Sequence, residues 1–514
     1  MTLKIFYVNI TFVMKRFLTL ALILSFSVQM NSVAFAHEEE LEFFHPVKIT
    51  RNKPLNIMDC VSLAYQNSPK IKRQKYNLDI AKSNLGIARS AYFPVISAGT
   101  GIYNEYNSDS VYYDKHYRDL PSVGVSINKM VWDFGKTTAN IKMEEFYKIG
   151  AEYEFMDSLC ATLFDVKWKY YNLLRTKALL DIYEDNLKIA ETFLKKSTKS
   201  PDKETSLIYV TEAKILYEEA LDEYKNAKVD LDNSMYLPNS VEYTIESTDT
   251  FGYDLPDGTN MATAWEFKPM ILPFKREDAP KIAYKNSPDL HVLIATKRAM
   301  KESLKYVKRS YFPELSANAG YGYNNTFNAS NNSFRVGVNL DSSVNLMELK
   351  HSIKGADANV NLAQNEIDLF KKDLYYEIQR ATNKIDKALS QIPLARESVE
   401  QAYKTMNLVV SKYGIEDNID YTSLHEAREN YLTANINFAE SLYKYNTALI
   451  QLEMATHSHI VDIHHKSGHA VHHHSEELIS DLIKALECKN TDKDLKKKSL
   501  LFGNDKDLDE DEDL

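Results

Sequence analysis

From Ile378 onward, apolar side chains recur three and four positions apart through Ala381, Ile385, Ala388, Ile392, Ala395, Val399, Ala402, Met406 and Val409. After a polar break the rhythm resumes at Leu424, Ala427, Tyr431, Ala434, Phe438, Leu442, Tyr445, Leu449 and Leu452. A 3-4 spacing held this long is a coiled-coil seam, and its alanines let two helices approach closely. A looser version runs through Leu159, Leu163, Val166, Tyr170 and Leu173. Helices of about 60 residues would each be about 90 Å long. Such a length belongs to architecture rather than to an enzyme core.

Elsewhere the period changes to two. Val123, Val125 and Ile127 alternate with Gly124, Ser126 and Asn128, and Val336, Val338 and Leu340 alternate with Gly337 and Asn339. Strands are expected at about 95–106, 121–132, 314–327 and 334–346, close to the length of a tilted membrane strand. Tyr92, Phe93, Tyr103, Tyr106, Tyr311, Phe312, Tyr321, Tyr323 and Phe334 crowd these segments. Rings with a polar tip suit a bilayer interface; the bland alternative is a soluble sheet with an aromatic face.

The chain writes this plan twice. Ala64 to Pro69 reads A-Y-Q-N-S-P and Ser90 to Gly101 reads S-A-Y-F-P-V-I-S-A-G-T-G. Ala283 to Pro288 reads A-Y-K-N-S-P and Ser310 to Gly320 reads S-Y-F-P-E-L-S-A-N-A-G. Pro69 to Pro288 and Pro94 to Pro313 share one offset of 219 residues, so the chain is an internal duplication. A first repeat is expected over 37–235 and a second over 276–456, each a helix, a strand pair and a long helical hairpin. An irregular, Pro- and Gly-bearing linker covers 236–275.

The two ends differ from this body. Lys15 and Arg16 precede an apolar run from Phe17 to Val28, and Ala34-Phe35-Ala36 offers a small-residue cleavage site. Residues 1–36 are therefore expected to be a signal peptide, with Met14 a second candidate start. Residues 457–514 begin with eight of the chain's 14 histidines (His457, His459, His464, His465, His469, His472, His473 and His474) and end acidic. This composition is expected to be disordered, and neighbouring imidazoles there could chelate zinc, copper or nickel.

Composition narrows the function. The net charge of −10 argues against nucleic acid as a partner. Three scattered cysteines form neither a disulfide framework nor a zinc pattern. Gly135-Lys136-Thr137 looks like the end of a phosphate loop, but the glycine needed five positions earlier is Met130. His425-Glu426 opens a zinc-protease motif that Glu429 breaks. No catalysis is expected. Glu416, Asp417 and Asp420 sit in the second helical break, where a symmetric assembly would turn them into rings of negative charge.

The doubled A-Y-x-N-S-P and Y-F-P signatures, with Val123-Gly124-Val125-Ser126 leading into Asp133-Phe134-Gly135-Lys136, resemble the TolC-like outer-membrane efflux family over roughly 55–455. The resemblance implies an α+β membrane protein, a homotrimer whose 12-stranded β-barrel is continued by a periplasmic α-helical barrel. It implies an outer-membrane exit channel of a tripartite efflux or type I secretion system. Its partners would be an inner-membrane transporter of RND or ABC type, a periplasmic adaptor and outer-membrane lipid. It also points to Tyr413, Glu416, Asp417 and Asp420 as the channel constriction. The chain departs from the family at Ser200-Pro201, where a glycine turn is usual, and at Asn345-Leu346, where a glycine pair is usual. Counting agrees with shared closure: four strands are too few for a membrane barrel, which needs at least about eight. Two alternatives stay open, a heavy-metal-efflux channel with a metal-binding tail and a soluble periplasmic metal-buffering scaffold.

Overall fold

The computed structural model describes residues 54–106, 117–196, 200–238, 241–248, 250–251, 267–270, 272, 274–325, 330–413 and 421–458. Each repeat opens on a broken helix. Helix α1 (Ile57–Asn67) is closed at its start by a reciprocal cap between Asn56 and Asp59 and at its end by Ser68. Ser68 also caps α2 (Pro69–Ser90), accepting from the Ile71 amide at 3.3 Å, with Pro69 in the first turn. Proline belongs there because that turn has no use for its missing N–H. The second repeat copies the device: Ser287 ends α5 (Ala279–Asn286) and caps α6 (Pro288–Arg309) through the Leu290 amide. The preceding tyrosines match too. Tyr65 donates to the Leu159 carbonyl at 2.9 Å and Tyr284 to that of Lys371 at 3.0 Å, each reaching its own long helix. The doubled N-S-P is thus a hinge that turns the chain onto the long helices.

The strands are β1 (Val95–Tyr106), β2 (Tyr117–Trp132), β3 (Glu314–Asn325) and β4 (Ser330–Asp341). They form one antiparallel sheet in the order β1-β2-β3-β4. β4 starts and ends earlier than the expected 334–346, because its register pairs Ser330 with Asn325 and Asp341 with Glu314. The register also sorts the side chains. Ile96 lies opposite Ile127, Ala98 opposite Val125, Val125 opposite Tyr321, Ala319 opposite Val336, and Leu315 opposite Leu340. Most of the large apolar side chains on that face are exposed: Ile102 is 74% accessible, Phe334 72% and Val336 71%. The opposite face carries Ser97, Gly124, Ser126, Asn318, Gly320, Gly337 and Asn339. An apolar outside and a small, polar inside is the alternation of a membrane barrel wall, inverted from that of a soluble sheet.

Two very long helices follow the strand pairs, α3 (Lys136–Lys196, 61 residues) and α7 (Leu346–Lys412, 67 residues). They turn back as α4 (Ser200–Met235) and α8 (Tyr421–Thr456). At 1.5 Å per residue α3 and α7 are about 90 and 100 Å long. The 3-4 rhythm is their buried seam: Ile378, Ala381, Ile385, Ala388, Ile392 and Val399 of α7 pack with Phe438, Leu442, Tyr445 and Leu449 of α8 in one core. Each fully buried Leu, Ile or Val contributes about 1.5–3 kcal/mol. α7 stays helical across Pro393, held by Ile392 and Ala395 in the seam on either side.

α3 occupies the centre of the helical layer, with α2, α4, α6 and α8 against it, while α7 packs on α6 and α8. Part of the linker is tied to this centre. Leu55 bridges Ile245, the Tyr170 hydroxyl donates to the Glu246 carbonyl at 2.6 Å, and Thr250 donates to the Asn446 side chain at 2.6 Å. Beside them Lys167 and Glu453 form an ion pair at 2.5 Å with both side chains almost wholly out of solvent. Removing one member of a buried pair strands the other charge, a loss of about 3–5 kcal/mol. Lys167→Met is expected to lower unfolding stability by that amount in a denaturant titration. Joining it to Glu453→Leu is expected to restore most of the loss.

Candidate functional site

Two places in this architecture have the geometry of function: the join of strand to helix, and the tip where the hairpins turn. At the first join, Asp133 is 7% exposed and accepts from the Gly135 amide at 3.0 Å and the Thr137 amide at 2.5 Å. Phe134 and Gly135 both have positive φ, 56° and 82°. A Cβ on Gly135 would lie 2.8 Å from Arg309 Nη1, whose N–H is donated to the Gly135 carbonyl at 3.0 Å. Lys136 pairs with Glu314 of β3 at 2.5 Å. Gly135-Lys136-Thr137 is therefore the capped start of α3, clamped by the second repeat, and not a phosphate cradle. At the second join Asn345 caps α7 alone, accepting from the Met347 and Glu348 amides, which is why no glycine pair is needed. At this level Trp132 meets Phe134 edge-on, and Phe134, Phe312 and Tyr311 stack in succession, with neighbouring centroids 4.1–6.1 Å apart.

At the far end, Tyr413 is the C-cap of α7 and its ring meets that of Tyr421 edge-on at 6.3 Å. Glu416, Asp417 and Asp420 lie outside the described residues. Of the four expected constriction residues, the structure thus places one. It adds a cluster the sequence did not suggest. Tyr209 of α4 stacks on His425 of α8 with ring centroids 3.4 Å apart and planes 6° from parallel, and lies 6.1 Å from Tyr421. The Arg428 guanidinium sits 5.9 Å from the same Tyr209 ring. Tyr421, His425 and Arg428 are four and three positions apart and so share one helix face. Burial, then the Arg428 charge, holds the His425 imidazole below its ordinary pKa. His425 belongs to a latch between the two hairpins, not to a zinc site. Its only sequence signal was the match of His425-Glu426-Ala427-Arg428 to Thr211-Glu212-Ala213-Lys214, two residues past Tyr209.

Among the described residues no group of three or more His, Cys, Asp or Glu side chains is arranged to hold a metal ion. His457 takes a positive φ of 46° at the end of α8, its ring 6.3 Å from Phe164, and burial holds its imidazole down at about 4. His459, His464, His465, His469, His472, His473 and His474 lie outside the described residues. Cys160 is packed against the core, where burial foremost pushes its thiol up to about 12. A cavity of about 330 Å³ is lined by Glu154, Asp157, Asp289, Gln74 and Phe370, with Val292 and Leu293. Burial, then the Asp289 and Glu154 charges, raises Asp157 to about 6.

An apolar-faced four-stranded sheet run directly into helices of some 60 residues defines a membrane channel of the barrel-and-tunnel class. A family-wide profile described as outer membrane efflux protein matches residues 60–234 and 279–456, one match per repeat. The chain belongs to the outer membrane efflux protein family: it is a passive conduit of the outer membrane with a periplasmic helical domain, not an enzyme. Solved structures share the fold. The CmeC outer membrane channel of Campylobacter jejuni aligns at 15% identity over 82% of this chain and 90% of that chain, with a TM-score of 0.66. The outer membrane protein VceC of Vibrio cholerae aligns at 13% identity over 78% and 95%, with a TM-score of 0.65. The open state of the MtrE outer membrane channel of Neisseria gonorrhoeae aligns at 11% identity over 81% and 94%, with a TM-score of 0.64. No curated protein sequence matches the chain.

The raised Asp157 carboxyl sets a pH dependence. Its folded pKa, about 6, exceeds the ordinary 3.8, so its contribution is fully present below pH 3.8 and is lost as pH rises through about 6. Asp157→Asn is expected to leave stability near pH 4 unchanged. At pH 7 it should raise stability by roughly 1 kcal/mol, the shift being discounted for partial exposure. Thermal melts of both proteins across pH 4–8 check this.

Proposed function

We propose that three copies of this chain close a 12-stranded barrel, continue it as a helical tunnel across the periplasm, and serve as the exit duct of a tripartite efflux or type I secretion system. An inner-membrane transporter and a periplasmic adaptor supply the energy and the docking. The observation that carries the reading is the sheet itself. Its outer face is apolar and largely exposed, while β1 and β4 each have one edge with no partner strand among the described residues. Lipid offers those edges no hydrogen bonds, so other chains must. Three copies give the smallest closed ring that exceeds the roughly eight strands a barrel needs with room for a lumen.

The helices support the same count. On α2, Tyr76, Ile80 and Ile87 are 58–68% exposed at spacings of four and seven. On α7, Leu362, Leu369 and Tyr376 are 57–60% exposed at spacings of seven. These stripes lie on the outermost helices of the layer, where the α2 margin of one copy meets the α7 margin of the next. Nearer the tip, Ile208, Ile215 and Val229 of α4 and Leu394 and Leu408 of α7 repeat the arrangement. The constriction is assigned to the ring of acids Glu416, Asp417 and Asp420 with Tyr413 beside it.

Cargo has two readings. General efflux of small toxic molecules or polypeptide is the first. Heavy-metal efflux is the second, favoured by the eight histidines within 457–474.

Envelope extracts are expected to show an SDS-resistant band at about three times the monomer mass that boiling abolishes. Leu369→Glu with Tyr376→Glu is expected to abolish that band, since paired charges in an apolar seam are costly. A persistent band would refute the α2–α7 margin. A deletion strain carrying the full chain or a version ending at Ala455 separates the cargo readings. Copper, zinc or nickel tolerance restored only by the full chain selects metal efflux, whereas equal rescue against dyes and detergents selects general efflux.

A further inference from the structure

The two repeats bring a short helix and a long helix together at the membrane rim in the same way, but only one of the two grooves is filled. Between α2 and α3 the Tyr92 hydroxyl lies 2.8 Å from the Thr138 hydroxyl, and Arg89 pairs with Glu145 at 2.7 Å. The offset of 219 residues carries Tyr92 to Tyr311 and Arg89 to Lys308, at the end of α6. Neither finds a counterpart on α7. Among the described residues Lys308 has no ion pair and the Tyr311 hydroxyl has no hydrogen bond. A cavity of about 490 Å³ lies there instead, lined by Tyr311, Ser343, Asn345, Glu348 and Ser352 with Val344. Its volume is within the roughly 300–1,000 Å³ of small-ligand sites.

The cavity sits where sheet gives way to helix. β3 begins at Glu314 and β4 ends at its partner Asp341, so Tyr311 and Ser343 lie just outside the last strand pair. Tyr311 stacks on Phe312, Phe312 on Phe134, and Phe134 meets Trp132, which pairs with Leu315 of the apolar face. This aromatic band marks the lipid side of the rim. Apolar side chains continue beyond the strand, with Leu346 73% and Met347 64% exposed. Both walls of the groove, α6 and α7, belong to one copy, so no second copy is needed to form it. Inside it, Glu348 has no ion pair among the described residues, and the hydroxyls of Ser343 and Ser352 have no hydrogen bond among them. Asn345 already occupies the Met347 and Glu348 amides, so recognition falls to side chains.

We propose that this groove binds the headgroup of a phospholipid carrying a primary amine, in the leaflet that faces the periplasm. Such a headgroup is a zwitterion, and the groove offers one charge for each of its ends. Glu348 accepts N–H bonds from the ammonium, while Lys308 and the hydroxyls of Ser343 and Ser352 donate to the phosphate. The acyl chains then follow Val344 and Leu340 onto the exposed strand face. A quaternary amine has no N–H to give Glu348, and a phosphoglycerol headgroup leaves that carboxylate facing a second negative group. The first repeat has no room for such a ligand, because Arg89–Glu145 and Tyr92–Thr138 fill its groove from within the chain. An ion pair made by the chain in one repeat thus corresponds to one made with lipid in the other.

The test is native mass spectrometry of the purified, delipidated full chain in detergent. Dioleoyl phosphatidylethanolamine, phosphatidylcholine and phosphatidylglycerol are added singly. One ethanolamine lipid is expected to stay on each chain at a concentration about tenfold below that needed for the other two. Glu348→Gln is expected to abolish that preference. Lys308→Gln is expected to weaken the ethanolamine and choline lipids alike, through the phosphate both carry. Both side chains are exposed, so lipid-free melts of the two variants are expected to match the parent. A parent that holds all three lipids equally overturns the proposal, and so does a preference that survives Glu348→Gln. Soluble phosphoethanolamine separates lipid from free headgroup. Displacement of the lipid by it at equal concentration would make the ligand a soluble amine phosphate and overturn the lipid assignment.

Discussion

Every strand in a bilayer must place its backbone N–H and C=O groups on another strand, because the lipid around it offers no partner. Among the described residues β1 and β4 meet that demand on one edge only, which leaves the sheet open in the one medium its apolar face suits. The rest of the structure is arranged around this deficit. The small, polar inner face of Gly124, Ser126, Gly320 and Asn339 makes sense only as the wall of a shared lumen. The long helices must then leave the sheet at fixed angles, since a ring of copies tolerates little divergence between wall and tunnel.

This explains why the first join is both heavily braced and irregular in its backbone. Phe134 takes a positive φ that costs a non-glycine residue energy, and Gly135 follows it in the same region. The cost is met by Asp133 beneath the turn and by Arg309 and Lys136–Glu314 across it, so each repeat braces the other. The second join has no such strain, because Asn345 alone caps α7. The duplication has thus been kept in plan and divided in labour.

Much of this could be read from the sequence, and the part that could not has a common cause. Heptads and strand alternation are local patterns, so the seam from Ile378 to Val409 and the apolar positions of β2 and β4 emerge from spacing alone. The N-S-P hinge emerges from its repetition. β4 was harder to delimit, because its bounds are set by pairing with β3 across a loop, while its own residues from Val336 onward carry the only strong signal. The latch escaped altogether, since Tyr209 and His425 are more than two hundred residues apart and His425 reads as a broken zinc motif. Asn186 was legible in principle, as a polar break in the run from Leu179 to Phe193. That it is buried with no hydrogen-bond partner among the described residues is visible only in the fold.

Join and tip therefore follow opposite rules within one chain. Around Gly135 the polar groups described here are partnered and strain is spent on rigidity. Near the tip, Arg428 Nε is buried with no partner among the described residues, and at this level α4 is joined to α8 by a ring stack. Aromatic stacking contributes roughly 0.5–1.5 kcal/mol, while a hydrogen bond to a charged group contributes roughly 1.5–3 kcal/mol. Rigidity is thus concentrated where a shared wall must keep one geometry, and the weaker contact sits at the end farthest from it.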